Sequence, residues 1–549
     1  MSKKSFIRGA AILGAAGIMV KVLGAVYQIP FTQMIGADGM AAYKPAYDVY
    51  TVFIVIATSG IPVAVSRMVS ERIIVGNFEG GHRVFHMSFR LMLIIGVISA
   101  AIMYFGADFI ARISGVAESA LSMRTIAPAL IVVPVMAAFR GYYQGQQNMK
   151  PTALSQVVEQ VFRVIFGLVT AYVLYNSVIG LFASQSAGAR GAAGGAFGAT
   201  MGSIGGLAVM ALVYILDRKH IKSRVARSEN VEPESNKEIL KKILWFAVPI
   251  TLGACIAPIM SYLDAPIVNS RLVATGWAVD VAKNLYGQIG AYVSPLVNLP
   301  QALSMALSMS LVPLISSAHK TNDIESMHSN TSLAVRVSVM IGMPCAAGMA
   351  VLAEPILLLL YSGRSAEAIN AVPTLAIWAI SIVFVSIVQT VSGILQGLGK
   401  QFIPVRNMII GIVIKVVLTY ILVGVHSLNI KGAAIATLIT YVVVASLDMH
   451  ATRKHTGARI DIKLTYIKPL IATVVMAAAA WGVNMLLAGG EVTPHNLMDK
   501  IACLVAVVVA VIVYAVMLLV TKSIERRDLE SFSAGQKMLK LVDRLGIKL

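Results

Sequence analysis

Arg140 to Leu174 reads RGYYQGQQNMKPTALSQVVEQVFRVIFGLVTAYVL, and Ser392 to Val423 reads SGILQGLGKQFIPVRNMIIGIVIKVVLTYILV. Aligned on their first glycines, Gly141, Gln144 and Gly145 fall on Gly393, Gln396 and Gly397. Pro151 and Pro404 agree to within one residue, and Arg163 falls on Lys415. Further on, Arg190-Gly-Ala-Ala answers Lys431-Gly-Ala-Ala. The chain is therefore written twice, in two hydrophobic halves that each carry a cation inside an apolar stretch. Internal repeats of this kind are a common construction of membrane transporters.

Composition agrees. The 549 residues are 57% hydrophobic and only 13% charged, with a mean hydropathy of +0.79, whereas soluble domains carry roughly 25% charged residues. Apolar runs of about twenty residues, each enough to cross a bilayer, recur along the whole length. The expected fold class is all-α and polytopic. It has about fourteen transmembrane helices, as two pseudo-symmetric six-helix lobes plus two C-terminal helices. The expected divisions are 1–216 for the first lobe, 217–242 for a charged cytoplasmic linker and 243–450 for the second lobe. Residues 451–522 form the appended pair, and 523–549 a cytoplasmic amphipathic tail. The second span of each half is long and proline-broken: 43–66 with Pro62, and 284–315 with Pro295, Pro300 and Pro313. In the first span, Gly14, Gly17, Gly24 and Pro30 are candidate bending points.

Charge placement gives the orientation. Of the 45 Lys and Arg residues, eight fall in external loops (Arg112, Arg124, Arg190, Arg271, Lys283, Arg364, Lys431 and Lys500). Four lie at membrane depth, and the other 33 sit in or beside loops on the side of the N-terminus. By the positive-inside rule both termini are cytoplasmic. The net charge of +19 is thus a topology signal, and no nucleic-acid partner is expected. Lys3, Lys4 and Arg8 precede an apolar run that continues past Lys21 into further membrane structure, which reads as an uncleaved first helix.

The four basic residues at depth are Lys21, Lys44, Arg163 and Lys415, and the clearest acids are Asp48, Glu159 and Asp264. Ionisable groups there are costly, so they face water-filled cavities or partners. Gln156, Glu159, Gln160 and Arg163 make one polar stripe at helical spacing, as do Asn407, Gly411, Lys415 and Thr419, and Gly17, Lys21, Gly24 and Gln28. Lys44–Asp48 and Glu159–Arg163 are i, i+4 pairs. These stripes suit a net-cationic central cavity between lobes; the alternative for the two pairs is a neutralised role pinning helices. Lys44 also suits snorkelling to the outer surface. Arg67 and Arg140 stand at cytoplasmic ends, where a topology role competes with substrate contact. Asp264, between Pro258 and Pro266, suits either a cavity or a helix cap.

No Walker A loop and no metal-spaced His, Cys or carboxylate clusters occur, so neither a cofactor nor enzymatic chemistry is expected. The three cysteines, Cys255, Cys345 and Cys503, lie far apart inside apolar runs. The external loops are too short to house a glycan polymerase's catalytic acids.

The stretch from Arg140 to Val164, together with Val20-Lys-Val-Leu-Gly24, Gly60-Ile-Pro-Val-Ala-Val-Ser-Arg67 and Lys431-Gly-Ala-Ala-Ile-Ala-Thr437, resembles the MOP exporter superfamily. Within it the chain looks most like the polysaccharide-biosynthesis branch that includes MurJ-type lipid II flippases and the stage V sporulation protein B group. The resemblance covers nearly the whole chain. It implies alternating access and movement of an undecaprenyl-pyrophosphate-linked sugar, such as a peptidoglycan precursor, across the bacterial plasma membrane. The partners implied are the lipid-linked oligosaccharide, the bilayer and cell-wall synthesis enzymes. Lys21 matches a basic position on the first helix of MurJ-type proteins. Where they tend to carry an Arg-Asp pair, this chain has Tyr27-Gln28; where they place an Asn contributing to a sodium site, it has Lys415. Lys and Arg are the natural partners of a pyrophosphate. The alternatives are a flippase for another polyprenyl-linked glycan, a MATE-like drug/cation antiporter, and a scaffold acting through its tail.

Overall fold

The computed structural model describes residues 3–177, 184–228, 234–488 and 496–523, which are helical with no strand. The proposed tail of 523–549 lies, apart from Ser523, outside the described residues. The chain folds as two compact units, Met1–Val273 with Trp277–Gly290, and Ala274–Gly276 with Ala291–Leu549.

The first unit contains α1 (Lys3–Thr58), α2 (Ile61–Ile74), α3 (Phe78–Phe105), α4 (Ala107–Ile113), α5 (Ser119–Ile126), α6 (Ala129–Gly145) and α7 (Lys150–Asn176). It continues with α8 (Ala187–Ala226), α9 (Asn236–Tyr262), α10 (Asp264–Ala274) and α11 (Val279–Gln288). A π-helical turn, Ile289–Val293, leads to the second unit. There α12 (Ser294–Lys320), α13 (Ile324–Val351), α14 (Ala353–Leu360), α15 (Ser365–Gly397), α16 (Phe402–Val423) and α17 (Ile430–Thr456) are followed by α18 (Lys468–Ala488) and α19 (Leu497–Val520). The sequence-based linker, 217–242, is partly helical, since α8 runs on to Ala226 and α9 begins at Asn236. Glu234 between them bonds Arg72 and Lys242. Burial alone would raise the Glu234 carboxyl, but hydrogen bonds and charge from Lys242 and Arg72 outweigh it and hold it below the usual carboxylate range.

Twelve helices among the described residues are long and apolar enough to cross a membrane. The first of them, Ile12–Ile74, counts as one although its 63 residues would extend about 95 Å at the helical rise, far beyond a single bilayer crossing. α12 is not among the twelve. The difference from the fourteen spans read in the sequence falls at these two places. α19 offers Leu497, Ile501, Leu504, Val508, Val511, Ile512 and Val516 outward, as a lipid-facing helix does.

α1 keeps helical dihedrals at the candidate bending points Gly14, Gly17, Gly24 and Pro30 and loses them at Gly36 (φ 66°, ψ −171°), between the first two spans read in the sequence, in a region that essentially only glycine occupies. Gly36→Ala should cost roughly 1–3 kcal/mol of stability through that strain, read as a lowered melting temperature in detergent. An unchanged melting temperature would mean the break tolerates a side chain.

The repeat is visible in packing. A Cβ on Gly141 or Gly145 would lie 2.9 Å from the Pro62 carbonyl oxygen or 2.7 Å from that of Ser66, so α6 rides against α2. A Cβ on Gly393 or Gly397 would lie 2.9 Å from the Ser308 or Val312 carbonyl oxygen, so α15 rides against α12 in the same way. Small residues four apart let helix backbones approach where water cannot drive association. Both long second spans are indeed interrupted just before a proline. One breaks at Ser59–Gly60 ahead of Pro62, the other at the π turn ahead of Pro295. Arg190 of the Arg-Gly-Ala-Ala run turns back to donate to the carbonyls of Leu174 (3.1 Å), Tyr175 (3.3 Å) and Gln185 (2.7 Å), capping the end of α7.

Candidate functional site

The polar stripe of α7 faces α1. The Gly36 break folds the two halves of α1 so that their aromatic residues, spaced three or four apart within each half, form one ladder. Tyr27 stacks on Phe31 (5.1 Å between centroids), Phe31 meets Tyr43 edge-on (5.1 Å), Tyr43 stacks on Tyr47 (5.5 Å) and Tyr47 leans on Tyr50 (5.7 Å). Arg163 lies over this ladder. It donates from Nη1 to the Tyr47 hydroxyl (3.1 Å) and from Nη2 to the Tyr43 hydroxyl (3.3 Å). Its guanidinium sits 4.9 Å from the Tyr47 ring centroid and 5.9 Å from that of Tyr27. Its Nε is buried without a hydrogen-bond partner among the described residues.

The i, i+4 pairing of Glu159 with Arg163 is not what forms. Glu159 accepts from Arg140 Nη2 at 2.8 Å, and Arg140 Nε also donates to Ser155 Oγ at 2.9 Å. The longer reach between α6 and α7 wins because the tyrosine hydroxyls already hold the Arg163 fork. Arg163 is consequently a cation bound by neutral groups, with no carboxylate ion pair among the described residues. Hydroxyl dipoles and ring faces stabilise the charge without cancelling it.

Removing the carboxylate by Glu159→Gln leaves Arg140 partly buried without a counter-ion. A loss of about 1–3 kcal/mol is expected, as for an unsatisfied charged partner. The swap Arg140→Glu/Glu159→Arg should recover part of it, since the two residues form one coupled pair. Thermal unfolding in micelles reads both; additive losses in the double variant would deny the coupling.

Lys44 and Asp48 do pair, at 2.6 Å. Ser261 of α9 bridges them, accepting from Lys44 at 3.4 Å and donating to Asp48 Oδ1 at 3.2 Å. This neutral triad pins α9 to α1. Asp264 is buried at the first position of α10, where a carboxylate complements the helix N-terminus.

The structure thus gathers Lys44, Asp48, Arg140, Glu159 and Arg163 around the ladder. Lys21 is exposed on α1. Arg67 is exposed too, paired with Glu71 at 2.8 Å and 4.4 Å above the Phe246 ring, an arrangement that belongs to a helix end. In the second unit, Lys415 is 4% exposed and shares with Asn407, Gly411, Thr419 and Val423 the buried stripe of α16. Gly411 brings that stripe against Val444 and Thr440 of α17. The sequence reading missed Tyr27, Tyr43, Tyr47 and Ser261. The Tyr27/Phe31 and Tyr43/Tyr47 spacing on either side of a glycine was the available signal.

The family model described as "Polysaccharide biosynthesis protein" matches residues 6–319, and a second, MatE, matches 289–421. The chain is 29% identical over 496 residues to the lipid II flippase MurJ of Bacillus subtilis (strain 168), covering 87% of this chain and 88% of that one. It is 26% identical over 544 residues to stage V sporulation protein B of the same organism, covering 96% and 98%. Among solved structures, an inward closed conformation of lipid II flippase MurJ superposes with a TM-score of 0.68 at 14% identity, over 93% of this chain and 98% of that one. An inward-facing multidrug MATE transporter of the MOP superfamily also gives 0.68, at 18% identity over 82% and 98%. The fold is that of the MOP superfamily, and the chain, matched over more than half its length, belongs to the polysaccharide biosynthesis protein family.

Proposed function

We propose that this protein is a flippase for an undecaprenyl-pyrophosphate-linked cell-wall precursor, lipid II in the first instance. It would carry the precursor from the inner to the outer leaflet of the bacterial plasma membrane by alternating access, with both termini in the cytoplasm. The observation that carries the reading is Arg163. It is a forked cation at membrane depth, held by tyrosines rather than neutralised by an acid, and so able to bind the oxygens of a pyrophosphate without first breaking an ion pair. Tyr27, at the position where MurJ-type proteins tend to carry arginine, lies under this guanidinium; the cation has in effect moved from the first helix to α7. The lipid II flippase of Bacillus subtilis, matched over most of its length, supports the same substrate class.

Coupling to protons or membrane potential fits better than coupling to sodium, because the Lys415 ammonium takes the place of an amide expected at the sodium site. Transport in vesicles should proceed at the same rate with choline replacing sodium; a strict sodium requirement would contradict this.

The direct test is complementation. The resident lipid II flippase is depleted, this protein is expressed at confirmed membrane levels, and lipid II is assayed in the outer leaflet. Rescue is expected; failure of the well-inserted protein would move the substrate to another polyprenyl-linked glycan. A drug/cation antiporter is the second reading, favoured by the MatE match over 289–421. It calls for efflux of ethidium, which the flippase reading does not.

A further inference from the structure

The second unit buries a carboxyl group for which the substrate reading has no use. Asp448 of α17 is 0% exposed, as is Asn407 of α16 beside it. Asn407 Nδ2 donates to Asp448 Oδ1 at 2.7 Å. On the other side of the amide, Arg406 donates from Nε (3.2 Å) and Nη2 (3.0 Å) to Asn407 Oδ1. Arg406 is exposed and bonds the amide, so its charge acts on the carboxyl from beyond Asn407. Asp448 Oδ2 is buried with no partner among the described residues. Neither has the hydroxyl oxygen of Thr452, one turn further along the same face of α17 and also 0% exposed.

Among the described residues, the surroundings supply no other charge that compensates the carboxyl. α15, which packs along α17, has Glu367 in its first turn as its one ionisable residue. α16 adds Lys415, two turns from Asn407, and Tyr420 near its far end. α13 touches α17 more lightly and carries Glu325, His328, Arg336 and Cys345. His328 sits by Gly457, at the end of α17. On α17 itself the flanking His450, Arg453, Lys454 and His455 are exposed. Of all these charges, Arg406 is the one that acts appreciably on Asp448. A carboxylate ion in this setting has one neutral donor and one remote cation, too little to offset the several kcal/mol that desolvating it costs.

We propose that Asp448 is a proton-binding site, with Oδ2 taking up a proton and Asn407 and Arg406 holding the carboxylate when the proton leaves. Uptake converts the carboxylate and a proton from water to a neutral carboxylic acid, and release reverses it. No other bond changes. Asn407 serves both states, since its amide donates to Oδ1 in either one. Thr452 offers an acceptor on the face that Oδ2 occupies. The site lies two turns from the end of α17 that the proposed topology places in the cytoplasm, so protons would enter from that side. The inference is independent of the substrate: it needs no flippase activity to be tested.

The experiment is an infrared pH titration of the full chain in phosphatidylglycerol vesicles, with wild type compared to Asp448→Asn and Arg406→Gln. Wild type should show a buried carboxylic-acid carbonyl band, shifted in heavy water, that Asp448→Asn lacks. Arg406→Gln removes the remote cation from the exposed side of α16 and should raise proton affinity on the order of tenfold. It also serves if Asp448→Asn fails to fold. Identical wild-type and Asp448→Asn spectra across the pH range of the folded protein would overturn the proposal. So would a titration indifferent to Arg406→Gln, or a band displaced by sodium but not by choline.

Discussion

Arg163→Ala should lower lipid II translocation by about tenfold to a hundredfold while leaving the protein folded. The range corresponds to the loss of one charge-assisted hydrogen bond of about 1.5–3 kcal/mol, at 1.36 kcal/mol per factor of ten. The variant loses the two tyrosine contacts as well as the charge, but the ladder of Tyr27, Phe31, Tyr43 and Tyr47 holds itself together by ring contacts. Arg163→Lys separates charge from geometry. A lysine keeps the cation but cannot span both hydroxyls or meet a pyrophosphate with a fork, so it should recover only part of the rate. Translocation in Arg163→Ala equal to wild type would remove Arg163 from the mechanism.

Gly198→Leu should damage the fold severely. α7 and α8 pack along one another more extensively than any other helix pair in the first unit, and they meet backbone to backbone. A Cβ on Gly198 would stand 2.4 Å from Gly167 Cα, 2.7 Å from Gly167 N and 3.0 Å from the Arg163 carbonyl oxygen. None of these atoms can turn aside as a side chain would. The helices must separate, at about 3 kcal/mol by the measure of overpacked cores, and the separation acts on the segment that positions Arg163. Little folded protein should survive solubilisation, as read by size-exclusion profile and melting temperature. A monodisperse variant with unchanged melting would show that the pair has slack the geometry does not reveal.

The fold was legible because lipid imposes a simple code. Every backbone polar group must be satisfied within the span, so apolar length, basic loops and small-residue spacing suffice. Gly141/Gly145 and Gly393/Gly397 could be matched by eye before their shared role against α2 and α12 was known. The site was harder to read because local spacing names the helix face and leaves the partner open. The i, i+4 rule chose Arg163 for Glu159, yet Arg140, nineteen residues away, took it through the packing of α6 on α7. The same rule succeeded for Lys44–Asp48 on one helix but could not foresee Ser261 of α9. The spacing of Tyr43 and Tyr47 names no role by itself; the Gly36 break stacks them with Tyr27 into a bed for a cation. Asp448 went unremarked because it stands at the end of an apolar run, where a solvated acid is ordinary. Only its burial against Asn407 distinguishes it.

The most direct measurement is translocation of fluorescently labelled lipid II by the purified protein in liposomes, with Arg163→Ala as the matched control. Bleaching-accessible lipid should appear with wild type and at least tenfold more slowly with the variant, both proteins being equally folded and inserted. Equal rates for the two would contradict the cationic site, and no translocation by folded wild type would contradict the substrate.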